Sequence, residues 1–253
     1  MEWRGLPDPG PTADAVRLIL GPEARDTMPL VPGIYGAVNY HFYPAFSDRC
    51  PYEPQVPADT LDPQWLDRQL ENLDYMTALR DRYNPGAPIW LGETGSAACG
   101  GQVGYSDRHA ATFFFLNQLG QLARRGVRVL VRQALEGGTY GLLEQGTLRP
   151  NPDYWAALLW RRLMGTEQLA PAAAGGAPDL RLFASCTPDR AGSVTLSRST
   201  SRAPSGAWCV CAAGARGGHS CTWSPLPTSS RVACCSTVAN WRHPTVWCQC
   251  CDR

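Results

Sequence analysis

From Arg17 to Gln133 the chain repeats one pattern, a short apolar run followed by an amphipathic stretch. Arg17-Leu-Ile-Leu-Gly-Pro22 predicts a short strand closed by a turn, and Gly36-Ala-Val-Asn-Tyr-His-Phe-Tyr-Pro44 a second strand rich in aromatics. Leu66, Leu70, Leu73, Met76 and Thr77 recur at helical spacing, which predicts a helix in the segment Leu61 to Tyr83. Asn84-Pro85-Gly86 breaks it, and Pro88-Ile-Trp-Leu-Gly-Glu93-Thr reads as the third strand. Ser106 can cap a helix that runs through Phe114 and Leu119 and ends before Gly126. Val127 to Gln133 is a fourth strand, and Pro152 opens a last helix, Asp153 to Met164, stopped by Gly165. Four alternations of strand and helix argue for an α/β fold with parallel strands. Periodicity alone leaves open whether this is half of a barrel or a small open sheet.

Beyond Gly165 the pattern changes twice. Ala170 to Pro178 is an Ala/Gly/Pro linker, after which Asp179 to Cys186 and Ser193 to Leu196 alternate like strands of an antiparallel sheet. From residue 197 no apolar period is visible. Eight of the 11 Cys fall in these last 57 residues, together with six Arg, four Trp and one acid, Asp252. Cys248 and Cys251 form the one Cys-x-x-Cys pair, and His219 and His243 are isolated, so no zinc-ligand set is complete. The tail reads as irregular, non-native sequence.

Composition narrows the classes further. Across 253 residues, 44% hydrophobic content fills the core of one large domain or two small ones. All 23 basic residues are Arg, against 22 acids, the signature of a GC-rich gene; the balance leaves no electrostatic footprint for nucleic acid. No apolar run reaches the ~18 residues of a membrane span. The opening Met-Glu-Trp-Arg-Gly-Leu-Pro lacks the apolar stretch of a signal peptide, so the expectation is a cytosolic chain or one whose true N-terminus is missing.

Glu93 is the leading candidate for chemistry. It ends an apolar strand and precedes a small-residue loop, Thr94-Gly-Ser-Ala-Ala-Cys-Gly-Gly101, that would leave a groove beside it. Polar residues at the C-terminal ends of barrel strands face the active site; the alternative is a Glu that caps the next turn. His41 and Tyr43 end the second strand in the same sense, with a satisfied structural His as the alternative. Arg132 and Gln133 end the fourth, where an Arg would suit an anionic substrate or make a surface ion pair. There is no Ser-His-Asp order, phosphate-binding Gly loop or His-x-x-x-His metal pair, and no cofactor is implied.

Trp90-Leu-Gly-Glu-Thr-Gly-Ser-Ala97, Gly100-Gly101, Ser106-Asp107, Val131-Arg-Gln133 and Asn151-Pro-Asp-Tyr-Trp155 resemble, in order and spacing, the heparanase and β-glucuronidase family of glycoside hydrolases. Tyr40-His-Phe-Tyr43 and Asp179 to Thr187 are similar to its flanking motifs, and the match runs from about Leu18 to Leu196. The resemblance implies a retaining (β/α)8 barrel carrying an all-β domain, with Glu93 as nucleophile. It also implies a uronic-acid subsite lined by His41, Tyr43, Gly100, Gly101, Gln133, Gly138 and Tyr140, and a glucuronic-acid-containing glycan as the partner. It places such a chain outside the cell or in the lysosome. Cys99 departs from the Gly of the vertebrate enzymes and would crowd the backbone contact with the sugar carboxylate.

The larger departure is an absence. A retaining mechanism needs two carboxyls about 5 Å apart, and the family's acid/base is a Glu following Asn at the end of its fourth strand. This chain has no Asn-Glu dipeptide, and its first recognisable strand resembles the family's fifth. Glu23 and Glu136 lie near other strand ends, outside that motif. The expectation is therefore strands five to eight of the barrel in residues 1–165, the start of a β-sandwich domain in 166–196, and an irregular tail in 197–253. Such a fragment would be inactive alone. The alternatives are a non-catalytic glycan-binding member of the family and a gene relic. Read one base out of frame, Leu196 to Ser201 permits Val-Ala-Ile-Asn-Leu, which resembles the family's β-domain strand and marks the tail as frameshifted.

Overall fold

The computed structural model describes residues 36–169, 180–200, 207–213 and 219–222. The predicted strand Arg17 to Pro22, the linker Ala170 to Pro178 and Glu23 lie outside them. The fold is mixed α/β with two sheets, in two compact units that divide between Asn151 and Pro152, Leu61–Pro63 counting with the second.

In the first unit, β1 (Val38–Phe42), β2 (Ile89–Thr94) and β3 (Val129–Arg132) form a sheet in the order β1-β2-β3, all parallel. Parallel neighbours need a crossover. Here α1 (Pro63–Asp67) and α2 (Gln69–Tyr83) connect β1 to β2, and α3 (His109–Arg124) connects β2 to β3. The single helix expected from Leu61 to Tyr83 is interrupted at Arg68. Leu66, Leu73 and Met76 are buried as their spacing requires, while Leu70 and Thr77 are half-buried.

One sheet face packs on the helices: Val38, Tyr40, Phe42, Ile89 and Leu91 are buried, and the Phe42 ring lies 6.5 Å from Phe114 of α3. The opposite face is open, with Asn39, Trp90 and Val131 exposed. Between Leu91 and Glu93 the pairing slips by one residue: Tyr40 stands opposite Leu91, His41 opposite Glu93 and Phe42 opposite Thr94. The same extra residue offsets β2 from β3, where Leu91 pairs with Leu130 and Thr94 with Arg132. Gly92 is the bulged residue, and a Cβ there would stand 2.0 Å from Oδ1 of Asn39. Because side chains alternate with period two, one inserted residue exchanges the faces beyond it. Glu93 accordingly joins Asn39 and His41 on the open face, while Thr94 turns into the buried one.

The second unit holds α4 (Pro152–Leu163) and a five-stranded antiparallel sheet, β4 (Gln168–Leu169), β5 (Leu180–Cys186), β6 (Val194–Thr200), β7 (Ala207–Ala213) and β8 (His219–Thr222), paired in chain order. Trp160 of α4 meets Phe183 of β5 edge-on at 6.4 Å. That packing is why the division falls before α4 rather than at the expected 165. The structure also differs from the irregular tail expected from residue 197, where it is described: Ser197–Thr200 complete β6, and β7 and β8 follow in register. In β6 the buried positions are Thr195, Ser197 and Ser199, while Leu196 and Arg198 point the other way. Val194 and Leu196 alternate with Ser193 and Thr195 as expected, but beyond Leu196 no apolar residue follows in β6, so no apolar period announces Ser197–Thr200.

Phe114→Ala should destabilise the first unit by about 3–5 kcal/mol, the cost of emptying an aromatic core position. Val131→Ala on the open face should cost less than about 0.5 kcal/mol. Urea unfolding followed by circular dichroism reads both; equal shifts would mean the helices do not cover the face assigned to them.

Candidate active site

The C-terminal ends of β1 and β2 set a carboxylate between an imidazole and a phenol. Tyr43, the residue after β1, donates its hydroxyl to Oε1 of Glu93 at 2.8 Å. Nδ1 of His41 stands 3.5 Å from Oε2, an ion pair whenever the imidazole is protonated. Both side chains of the latter pair are about one-third exposed. Glu93 is therefore oriented by two partners yet open to a ligand, not turned back to cap a turn. Burial, reinforced by the bond to Glu93, pushes the Tyr43 phenol well above its ordinary range, so it stays a donor. Desolvation lowers the His41 pKa and the Glu93 charge opposes that shift.

Behind this pair a buried relay fixes the strand ends. Nε2 of Gln118 on α3 donates to the Thr94 hydroxyl at 2.9 Å, and that hydroxyl donates to the Phe42 carbonyl at 2.8 Å. The backbone N–H of Gln133, one residue past β3, donates to the Thr94 carbonyl at 2.8 Å. Arg132 points to the helix side of the sheet. Its guanidinium lies 5.4 Å from the Phe115 ring and 5.8 Å from the Tyr140 ring, and it donates to the carbonyls of Gln133 and Tyr140. It meets ring faces and backbone carbonyls there because its partner position, Thr94, lies on the buried face.

Two loops complete the rim. After β2, Cys99, Gly100 and Gly101 take φ of 58°, 90° and 85°, a run that only residues tolerant of the left-handed region sustain. After β3, Gly138 packs so closely on this turn that a Cβ would stand 2.7 Å from the Gly100 carbonyl oxygen. Thr139 N–H donates to that same oxygen, and Tyr140 stacks 6.2 Å from Tyr43. Contacts thus join His41, Tyr43, Glu93 and Tyr140 directly, and Gly100 and Gly138 through their backbones. Gly101 abuts the Tyr140 N–H, whereas Gln133 reaches the group through its backbone.

Three features were not readable from the residue pattern. Ser106 does not cap α3, whose N-cap is Arg108. Its Oγ accepts the Gln102 N–H at 2.9 Å and bonds the Ser96 hydroxyl at 2.7 Å, pinning the glycine turn from within. Arg49 bridges the loops, donating to the Gly100 carbonyl at 3.3 Å and to Oγ1 of Thr139 at 3.0 Å. Cys50 and Cys99 form a disulfide. A sequence separation of 49 residues carries no pairing signal; only the topology brings the two loops together. Among the described residues no group of three or more His, Cys, Asp or Glu could hold a metal ion.

The lowered His41 pKa fixes a sign. The neutral imidazole is favoured in the fold, so its contribution to stability is complete above the ordinary value of about 6.5 and is lost as pH falls through the lowered one. Proton NMR of the His41 ring should give a midpoint below 6.5, displaced further downward in Glu93→Gln because the opposing charge is gone. A midpoint above 6.5 in the parent chain would show the carboxylate outweighing desolvation.

Comparison of the sequence with known proteins points to one group. Residues 32–120 match the glycosyl hydrolase family 79 N-terminal domain. Heparanase-like protein 1 of Arabidopsis thaliana is 40% identical over 165 residues, 65% of this chain and 30% of that protein. Heparanase of Gallus gallus is 39% identical over 145 residues, 54% and 28% of the two chains, and the baicalin-β-D-glucuronidase of Scutellaria baicalensis 32% over 180 residues, 65% and 34%. Among solved structures, a 4-O-α-L-rhamnosyl-β-D-glucuronidase from Fusarium oxysporum aligns at 19% identity over 63% of this chain and 34% of that one, with a TM-score of 0.46. This chain spans about a third of the length of the curated relatives it matches. These similarities support the heparanase and β-glucuronidase family of glycoside hydrolases.

Proposed function

We propose that this chain carries the nucleophile side of a retaining glycoside hydrolase that cleaves β-glucuronidic bonds. Glu93 is the nucleophile, and the three described parallel strands, together with the expected strand Arg17 to Pro22, are strands five to eight of a (β/α)8 barrel. The observation that carries this reading is the Tyr43–Glu93–His41 arrangement at the C-terminal strand ends, on the open sheet face. The Tyr43 bond to Oε1 orients the carboxylate and leaves Oε2 to approach the anomeric carbon. As the glycosyl ester forms, the sugar–oxygen bond breaks and the leaving oxygen needs a proton. His41, Tyr43, Gly100, Gly101, Gln133, Gly138 and Tyr140 line the subsite for the uronic acid, whose carboxylate suits backbone N–H donors of the glycine turns.

The proton donor is what this chain lacks. It contains no Asn-Glu pair, and Glu136 accepts the Gly146 N–H at 3.2 Å in a loop beyond β3. General-acid assistance is worth roughly 10²–10⁴-fold, so the chain alone is a poor catalyst. That same absence favours a second reading, a family member that binds glycan without cleaving it. The Cys50–Cys99 disulfide supports an extracellular or lysosomal setting, since such bonds persist where the surroundings are oxidising. For residues 197–253 the proposal remains a reading frame displaced by one base, which the gene sequence decides.

A trap that needs no acid separates the two glycan readings. A 2-deoxy-2-fluoro-β-D-glucuronosyl fluoride loses fluoride without protonation and leaves a slowly hydrolysed glycosyl ester. Mass spectrometry should find that ester on the peptide containing Glu93, and find none in Glu93→Gln. An aryl β-glucuronide should show no measurable turnover with the chain alone. Reversible binding of the fluoride without any adduct would favour the binding protein, and an adduct surviving Glu93→Gln would remove Glu93 as nucleophile.

A further inference from the structure

The glycine turn beside Glu93 is held by little secondary structure. Residues 95–101 follow β2 with no strand partner beyond the isolated bridge of Phe46 with Ala98. Among the described residues three hydrogen bonds tie the turn to the loop after β1: Ala98 N–H to the Ala45 carbonyl at 2.8 Å, the Ser47 hydroxyl to the Cys99 carbonyl at 3.3 Å, and the Arg49 guanidinium to the Gly100 carbonyl at 3.3 Å. Cys99 occupies the left-handed region at φ 58°, where a side chain with a Cβ is disfavoured unless its surroundings over-determine it. The disulfide to Cys50, with Cα atoms 5.4 Å apart, supplies the covalent part of that determination.

The turn does not stand alone. The Gly100 carbonyl accepts from Thr139 N–H and from Arg49, the residue before Cys50, and Gly138 rests against it. On the other side, Cys50 is packed in one buried cluster with Tyr43, Phe46, Ala98 and Tyr140. Tyr43 is the residue that holds Glu93. A shift of Cys99 is therefore passed to both glycine loops through Gly100, and a shift of Cys50 to the tyrosine pair. Cys99 is exposed while Cys50 is buried, so a thiolate would approach the bond from the Cys99 side.

We infer that the Cys50–Cys99 disulfide is the positioning element of this site: it sets the Gly100–Gly101 turn against Gly138, and breaking it weakens sugar binding beside Glu93. Breaking it consumes one dithiol. Two electrons and two protons pass to the protein sulfurs, the Cys50–Cys99 bond is replaced by two thiols, and the dithiol closes to its own disulfide. The binding half of this inference rests on the glycan reading above. The positioning half does not.

The test uses the full oxidised chain and a Cys50→Ala/Cys99→Gly variant, in which Gly suits the left-handed position and the covalent tie is lost together with the Cys50 sulfur of the buried cluster. Amide hydrogen exchange should accelerate at least about tenfold at Gly100, Gly101 and Thr139 in the variant, with the Ile89–Leu91 amides unchanged. Methyl β-D-glucuronide, titrated by NMR, should bind at least about tenfold more weakly, the scale on which small misplacements of a site act. Unchanged exchange in the two loops would overturn the inference. So would equal loss of protection in β2, which would make the bond a staple of the whole unit rather than of the site. If the variant does not fold, the same exchange comparison on the native chain before and after dithiothreitol decides between those outcomes. If the oxidised chain does not bind the glucuronide, the glycan reading falls while the exchange result still judges the positioning.

Discussion

Everything at this site depends on a change of parity in β2. A regular strand would carry Glu93 on the same face as Leu91, against α3, where an unpaired carboxylate is costly to bury. The extra residue at Gly92 puts Glu93 opposite His41 instead, and returns Thr94 to the interior opposite Phe42. Glycine is the residue that fits, because the Asn39 carboxamide occupies the space a Cβ would need. The Thr94 hydroxyl that the parity change turns inward is met by Gln118 and the Phe42 carbonyl.

Around that constraint the supports come from three further parts of the unit. α3 contributes Gln118, β3 contributes Arg132, and the segment before α3 contributes Ser106. Each spends its polar atoms on backbone carbonyls, backbone N–H groups or buried hydroxyls rather than on solvent. The residues aimed at the open face have partners that fix direction without closing access: Tyr43 for Glu93, Tyr140 for Tyr43. This division, with holding groups below the sheet and reactive groups above it, is what a parallel sheet with helices on one face provides at its strand ends.

Much of this was legible in the residue order, for physical reasons that differ by element. β1, β2 and β3 were readable because apolar runs between turn residues are strong strand signals. The family motif around Glu93 named the carboxylate. Its orientation was another matter, since strict alternation gives the wrong face and a bulge leaves no hydropathy trace beyond one glycine. The side of the sheet that Arg132 takes was hidden for the same reason, since the bulge sets its register opposite Thr94. Ser106 looked like a cap because it stands at capping distance from an apolar run, whereas its hydroxyl serves the turn before the helix. Cys50 and Cys99 could not be matched across 49 residues without the topology. In β6 the alternation that reveals Val194 to Leu196 stops there, because Ser197 to Thr200 offers no apolar residue, so a period defined by hydrophobicity passes over its second half.

Trp90 gives the open face an optical consequence. It lies on the side of β2 shared with Glu93, pairs with Asn39 and Val129, and keeps 41% of its surface in contact with solvent. Indole emission moves to shorter wavelength when water leaves its surroundings. Whatever comes to cover this face, whether a sugar chain, a complementary set of strands or another macromolecule, would change the colour of light emitted by a residue the protein already carries. The parity that presents the carboxylate thus also installs a reporter beside it, and no dye has to be attached to watch the face being covered.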